Sequence, residues 1–184
     1  MARHLEMAEL EDGLSEILAS PKDIGSLEGI VVRPAHNERQ ERQRCEVSLD
    51  GGLHGDHWAK GCWKTMEDGK PHPDVQICIM NARCIALIAQ ERHNWAPAGD
   101  NLFIDLDLSP NNLPVGQRLT LGSAVLEITA VPHLGCAKFI QRYGKDACVF
   151  VNSRVGKANR LRGVYARIVQ DGMVAVGDRA TKTT

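Results

Sequence analysis

The chain is poor in aromatic residues, in net charge and in long apolar runs, and each shortage excludes something. Three Trp, two Tyr and three Phe in 184 residues leave no platform on which successive nucleic-acid bases would stack. Twenty-two Lys and Arg against 23 Asp and Glu give a net charge of -1, which argues against a general polyanion binder. The purest apolar run, Cys84 to Ala89, is six residues long, far short of the roughly 20 that cross a bilayer. Acids interrupt every apolar block among the first ten residues, so no secretory signal is expected. A cytoplasmic protein without membrane or nucleic-acid partners is therefore predicted. C-x-x-C pairs are missing as well. The six cysteines (Cys45, Cys62, Cys78, Cys84, Cys136 and Cys148) stand apart in a chain large enough to bury a core unaided, so they are expected to be reduced.

What is present fits one domain. Leu10, Leu14, Ile17 and Leu18 recur at helical spacing and predict an amphipathic helix over residues 5–19, ended by Ser20-Pro21. Residues 1–26 are thus expected to form a helical extension packed on a body of residues 27–184. From Leu27 on, short β-like runs alternate with turn signals. They are Leu27 to Val32, Cys45 to Leu49, Val75 to Met80, Leu102 to Leu106, Arg118 to Leu121, Ala124 to Val131, Ala147 to Val151, Val164 to Val169 and Met173 to Val176. Nine such strands predict a mainly β fold with a few helices, a barrel or a sandwich. Asp171-Gly172 fits a tight hairpin between the last two runs. Asn81 fits the cap of a helix from Ala82 to about Arg92, with Cys84 on its buried side.

Four features carry chemistry. Cys136 follows the clearest strand, Pro132 and Gly135 end that strand, and Phe139, Ile140 and Tyr143 then recur at helical spacing. The sulfur is expected at a helix start, where free amides and the helix dipole, with Lys138 and Arg142 nearby, suit a nucleophile, metal ligand or sulfur carrier. The competing reading is a small buried hydrophobe, the one preferred for Cys45, Cys78, Cys84 and Cys148. Secondly, the 24 residues from Ala147 to Gln170 hold no acid and five bases, Arg154, Lys157, Arg160, Arg162 and Arg167, while the rest of the chain sums to -6. Such a segment would dock a small anion or form a solvated edge.

Thirdly, His54, His57, Cys62 and His72 follow the pattern H-x2-H-x4-C-x9-H, a loose spacing for a zinc-stabilised binding module. In the same loop, Asp56 would orient a donor in a cleft, or simply satisfy its own turn, and His57 would serve as acid or base. The fourth feature is the turn Gly99-Asp100-Asn101 before a strand, which ordinarily means nothing more than a turn.

In this order the pieces resemble the MOSC domain, found at the C-terminus of molybdenum cofactor sulfurases and as stand-alone bacterial proteins. The likeness rests on Leu53-His-Gly-Asp-His57, Gly99-Asp-Asn101, Leu113-Pro-Val-Gly116, Ala124 to Thr129, Gly135-Cys136 with Phe139, Arg162-Gly163 with Ala166-Arg167, and Gly172 with Gly177-Asp178. It covers about residues 27–180. The family often has Gly-Glu-Asn where this chain has Gly99-Asp100-Asn101.

The resemblance implies a MOSC-type β-barrel and a molybdenum-pterin cofactor, with Cys136 as metal ligand or persulfide-carrying sulfur acceptor. It implies a phosphate site around Arg154, Lys157, Arg160 and Arg162, and Asn101 near the cofactor. Reduction of small N-hydroxylated substrates, as in some relatives, would then belong to the metal. A cysteine desulfurase or a molybdoenzyme is the implied partner. Pyridoxal phosphate is assigned to that desulfurase, since no lysine here has a Schiff-base context. His54, Asp56, His57, Asp100, Asn101 and Lys138 complete the expected cofactor-binding set.

Overall fold

A computed structural model describes residues 3–183; Met1, Ala2 and Thr184, the outermost residues of the expected extension and body, lie outside it. In chain order the strands are β1 (Ile24–Val32), β2 (Gln40–Arg42), β3 (Arg44–Ser48), β4 (Gly52–Leu53), β5 (Ile77–Asn81), β6 (Leu102–Asp105), β7 (Arg118–Leu121), β8 (Ala124–Ile128), β9 (Val164–Gln170), β10 (Gly172–Ala175) and β11 (Arg179–Thr183). Seven of them close a barrel in the order β1, β6, β5, β9, β8, β7, β11 and back to β1. The pairing of β5 with β6 is parallel and the other six are antiparallel, so the expected mixed, mainly β barrel is what the chain forms. β2 extends the β1 edge, while β10, β3 and β4 make a separate three-stranded sheet.

Period-two alternation sorts the strand residues between two apolar cores. Ile30, Val32, Ile79, Leu102 and Ile104 fill the barrel interior. Their neighbours Val31, Met80 and Phe103 face outward, beneath the helices. Those helices are α1 (Met7–Asp12), α2 (Leu14–Leu18), α3 (Trp58–Gly61), α4 (Ala82–Ala89), α5 (Ala137–Tyr143), α6 (Lys145–Asn152) and α7 (Arg154–Ala158). Asn81 caps α4 as expected, its side chain accepting from the Cys84 amide at 2.8 Å, and Cys84 is fully buried.

Three expectations are corrected. Ala147 to Val151 is helical: Ala147, Cys148, Phe150 and Val151 of α6 are buried while Val149 is exposed, a helical rather than alternating pattern. Asp171-Gly172 is no hairpin, because β9 pairs with β8 and β5 whereas β10 leaves to pair with β3. The Asp171 carboxylate instead accepts from the Leu49 amide at 2.7 Å. The N-terminal helix breaks at Gly13 into α1 and α2, where a Cβ would come within 2.6 Å of the Leu87 side chain of α4. Leu10 and Ile17 still pack into the outer core.

Candidate functional site

The site begins where β1 runs out. After β4 the chain turns through Gly55, whose φ of +88° suits glycine, and delivers Asp56 to the guanidinium of Arg33. Asp56 Oδ2 accepts from Arg33 N at 2.9 Å, Arg33 Nε at 2.9 Å and Asn101 Nδ2 at 3.0 Å; Oδ1 accepts from Arg33 Nη2 at 3.0 Å and Trp58 N at 3.0 Å. Burial works against this carboxylate, but the Arg33 pair and the amides hold it below its usual range. Arg33 uses its remaining arm, Nη1, on the Gly99 carbonyl at 3.1 Å and the Cys78 sulfur at 3.6 Å. Asp56 therefore fixes the Arg33 guanidinium and, through Trp58 N, also satisfies its own turn.

Asn101 belongs to the same buried floor. Its Oδ1 accepts from Cys78 N at 3.1 Å and its Nδ2 also donates to Val31 O at 3.2 Å, so the amide fastens β1 to β5 and is fully committed. Beside it, Asp100 is completely buried and accepts two bonds from Arg162 Nη1, at 2.9 and 2.7 Å. Burial pushes the Asp100 carboxyl up despite that guanidinium. His133 Nδ1 lies 3.6 Å from Asp100 Oδ1, and its ring rests 4.4 Å from that of Tyr165. Burial, with Arg162 and Arg33 nearby, drives the imidazole well below its usual value, so it is neutral.

Over this floor opens a cavity of about 330 Å³ whose wall includes Arg33, Arg39, Lys138, His36, His57, His133, Trp63, Cys62, Cys78 and Tyr165, and no carboxylate residue. Burial, then Arg142 and Arg33, hold the Arg39 guanidinium below its usual value, and its buried Nε has no partner. The Cys78 thiol is pushed up to about 11 by burial. Trp63, largely exposed, stands 6.3 Å from Tyr165 at the rim.

The expected residues divide. His57, Lys138 and Cys62 reach this cavity. His54 is exposed and off it, and His72 only caps the turn before β5 by accepting from Asp74 N at 3.2 Å. Among the described residues no three His, Cys, Asp or Glu side chains could share a metal ion, so the four-ligand zinc set is not assembled. The acid-free segment converges only in part, and away from this cavity. Arg162 is spent on Asp100, Arg160 donates to the carbonyls of Leu108 and Leu113, and Arg154 is exposed on α7. Lys157, Arg160 and Arg162 meet only around a second cavity of about 430 Å³, which shares His133 with the first.

Cys136 is the N-cap of α5 and is exposed, so the buried-hydrophobe alternative is set aside. It lies between the wall residues His133 and Lys138 without being on either wall itself. Burial, followed by the neighbouring Cys136, holds the Cys148 thiol above its ordinary range. Cys78 is buried as expected and still borders the cavity, while Arg33, Arg39, His133 and Trp63 were missed. Their only trace in the sequence is Arg33 and Arg39 flanking a Pro-Ala-His-Asn turn region without apolar pattern.

The closed mixed barrel, with its basic cavity at the Gly99-Asp100-Asn101 turn, defines a MOSC-type protein, and the chain belongs to that family: the MOSC domain profile matches residues 53–181. The family is associated with the molybdenum cofactor. Among solved structures, the chain is similar to the YuaD protein of Bacillus subtilis, with a TM-score of 0.62, 20% identity, and 88% of this chain and 96% of that one covered. It is also similar to YiiM of Escherichia coli, with a TM-score of 0.53, 18% identity, and 86% and 70% covered. YiiM of Geobacillus stearothermophilus gives a TM-score of 0.55 at 14% identity, with 90% and 75% covered. No curated protein matches at a significant level.

Proposed function

We propose that this protein binds a molybdenum-pterin cofactor at the arginine-lined cavity, with Cys136 beside it as metal ligand or sulfur acceptor. The observation that carries the reading is the wall itself: Arg33, Arg39 and Lys138 face one cavity with no carboxylate among the residues lining it, and the buried Arg39 Nε lacks a partner. An anionic ligand would satisfy that charge. The exposed ring of Trp63 at the rim offers a stacking face for a flat heterocycle. Arg39 and Lys138 carry most of this reading, because Arg33 is already paired with Asp56 much as Arg162 is with Asp100, whereas Arg39 Nε has no partner. When bound, the metal would supply the redox chemistry. Arg33 and Arg39 would bind the anionic end, Asp56 would keep Arg33 aimed, and Cys136 would present a soft sulfur ligand.

The test is elemental analysis of protein purified from cells that make the cofactor. Molybdenum should accompany the wild type, fall at least tenfold in Arg39→Ala with Lys138→Ala, and fall in Cys136→Ser but not in Cys62→Ser. Unchanged molybdenum together with unchanged sulfur uptake in Cys136→Ser would reject both roles of that residue.

The exposure of Cys136 favours a second reading, a metal-free sulfur carrier charged by a pyridoxal-phosphate-dependent cysteine desulfurase. One added sulfur on Cys136 in protein that holds no molybdenum would decide for it.

A further inference from the structure

A second thiol is built against Cys136. Cys148 of α6 directs its sulfur at the turn entering α5, where Sγ lies 4.0 Å from the Cys136 carbonyl oxygen. A Cβ at Gly135 would stand 2.9 Å from that same sulfur, so the bare backbone of Gly135 is what admits Cys148 beside Cys136. Asn152, one turn beyond Cys148, fixes the arrangement. Its Oδ1 accepts from Gly135 N at 2.9 Å, its Nδ2 donates to Gly135 O at 3.0 Å, and Nδ2 also reaches the Cys148 sulfur at 3.5 Å. One side chain thus clamps the turn carrying Cys136 to the helix carrying Cys148. Cys136 is exposed while Cys148 is buried, and the Cys136 side chain makes no capping bond that would tie it down. The pair therefore has an accessible sulfur that meets the reagent and a protected one held behind it, the arrangement of an attacked and a resolving thiol.

We infer that Cys136 and Cys148 form a hydrogen-peroxide-sensitive dithiol that closes to a disulfide. The Cys136 sulfur attacks the peroxide, the O–O bond breaks, and a sulfenic acid forms as water leaves. The Cys148 sulfur then attacks the Cys136 sulfur, an S–S bond forms, the S–O bond breaks, and the hydroxyl leaves as a second water with the proton from Cys148. The two cysteines lose two electrons, which the peroxide takes up. Closure removes Cys136 as an available thiol, so any ligand or sulfur-accepting role it has is switched off until a dithiol reductant reopens the pair. The disulfide itself does not depend on the cofactor reading.

The experiment treats the full chain with hydrogen peroxide, alkylates the remaining thiols after denaturation, and maps the digest by mass spectrometry. Arg142 and Lys145 separate the two cysteines, so tryptic cleavage turns the link into a joined pair of peptides. That pair is expected in the wild type and should vanish on reduction with dithiothreitol. Cys148→Ala should carry Cys136 on to sulfinic and sulfonic acid. Asn152→Ala should slow closure several-fold without slowing the first oxidation. Over-oxidised Cys136 in the wild type with Cys148 still alkylated, or a link of either residue to another cysteine, would overturn the inference. Mapping of the wild type decides the question even if a variant does not fold.

Discussion

Arg33 and Asp56 meet side-on, two guanidinium nitrogens on two carboxylate oxygens at 2.9 and 3.0 Å, and the pair ties the loop after β4 to the end of β1 beneath the cavity. The Asp56 side chain is 1% exposed and that of Arg33 14%, so each charge depends on the other. Removing one partner of such a pair leaves a buried charge uncompensated, at a cost of about 3–5 kcal/mol. Asp56→Ala is expected to lose that much in urea denaturation, whereas Arg33→Met with Asp56→Leu should lose clearly less. Equal losses in the two proteins would show that shape, and not charge, is what the pair supplies.

His133 makes stability depend on pH. Its folded-state value is depressed well below the ordinary 6.5, so below pH 6.5 the unfolded chain takes up a proton that the folded chain refuses. Stability from this group is complete above about pH 6.5 and declines by about 1.4 kcal/mol per pH unit as pH falls toward the folded value. Asp100, raised by burial, contributes with the opposite sign, gaining stability as pH falls through its own folded value. The comparison is therefore wild type against His133→Gln at each pH. Between pH 6.5 and 5 the wild type should lose stability relative to the variant; parallel curves would place the imidazole in contact with water.

The barrel was legible where alternation was strong. β7 came out at its observed bounds, and alternation placed Ala124, Leu126 and Ile128 of β8 inside as observed, but it ran on to an inward Ala130 and an outward Thr129 past the strand's end at Ile128, where Ala130 is exposed and Thr129 buried. It was illegible where pairing, rather than apolar pattern, makes the strand. Arg179–Thr183 buries only Ala180, yet this β11 closes the barrel by pairing with both β1 and β7. Ala147 to Val151 is too short an apolar run to separate the two periods; the positive φ of Gly144 just ahead of α6 was the missing cue. The cavity was harder to see because charge in a sequence does not show where it is spent. Arg160 and Arg162 stood out for their acid-free context and prove to be internally paired. Arg39 sat among mixed charges and is the one with an unpartnered nitrogen on the cavity wall, beside an Arg33 that Asp56 holds.

Barrel closure has its own weak point. Gly25 pairs with Ala180 of β11, and a Cβ there would collide with the Asp105 carbonyl and stand 2.9 Å from Leu106 Cβ. Backbone on the far side of the contact cannot swing away as a side-chain tip can. Gly25→Ala is expected to cost about 1–3 kcal/mol, read as a lower urea midpoint. Gly61→Ala, whose Cβ would come no nearer than 3.3 Å to the His57 ring and which, like Gly25, does not sit at a positive φ, controls for the loss of a glycine. Should Gly25→Ala be the milder of the two, the strands at this seam are not packed as closely as the structure has them.

Arg39 pits binding against stability. A Cβ at Gly99 would lie 3.5 Å from Arg39 Nη2 and 3.6 Å from Arg142 Nη1, so two guanidinium groups crowd one turn, with Arg33 bonded to the same residue. Burial and these like charges lower the value for Arg39, which means that the folded state holds this charge at a cost. Arg39→Ala should therefore melt no lower than the wild type in anion-free buffer, and higher if the repulsion dominates. An anion that bridges the arginines reverses the order. At 100 times its dissociation constant it would stabilise the wild type by about 2.7 kcal/mol, while the variant should gain far less. Molybdate and inorganic phosphate, each titrated during thermal melting at fixed ionic strength, make the comparison. If Arg39→Ala melts lower without anion and keeps the full anion-induced rise, Arg39 is a structural group and the cavity takes its anion elsewhere.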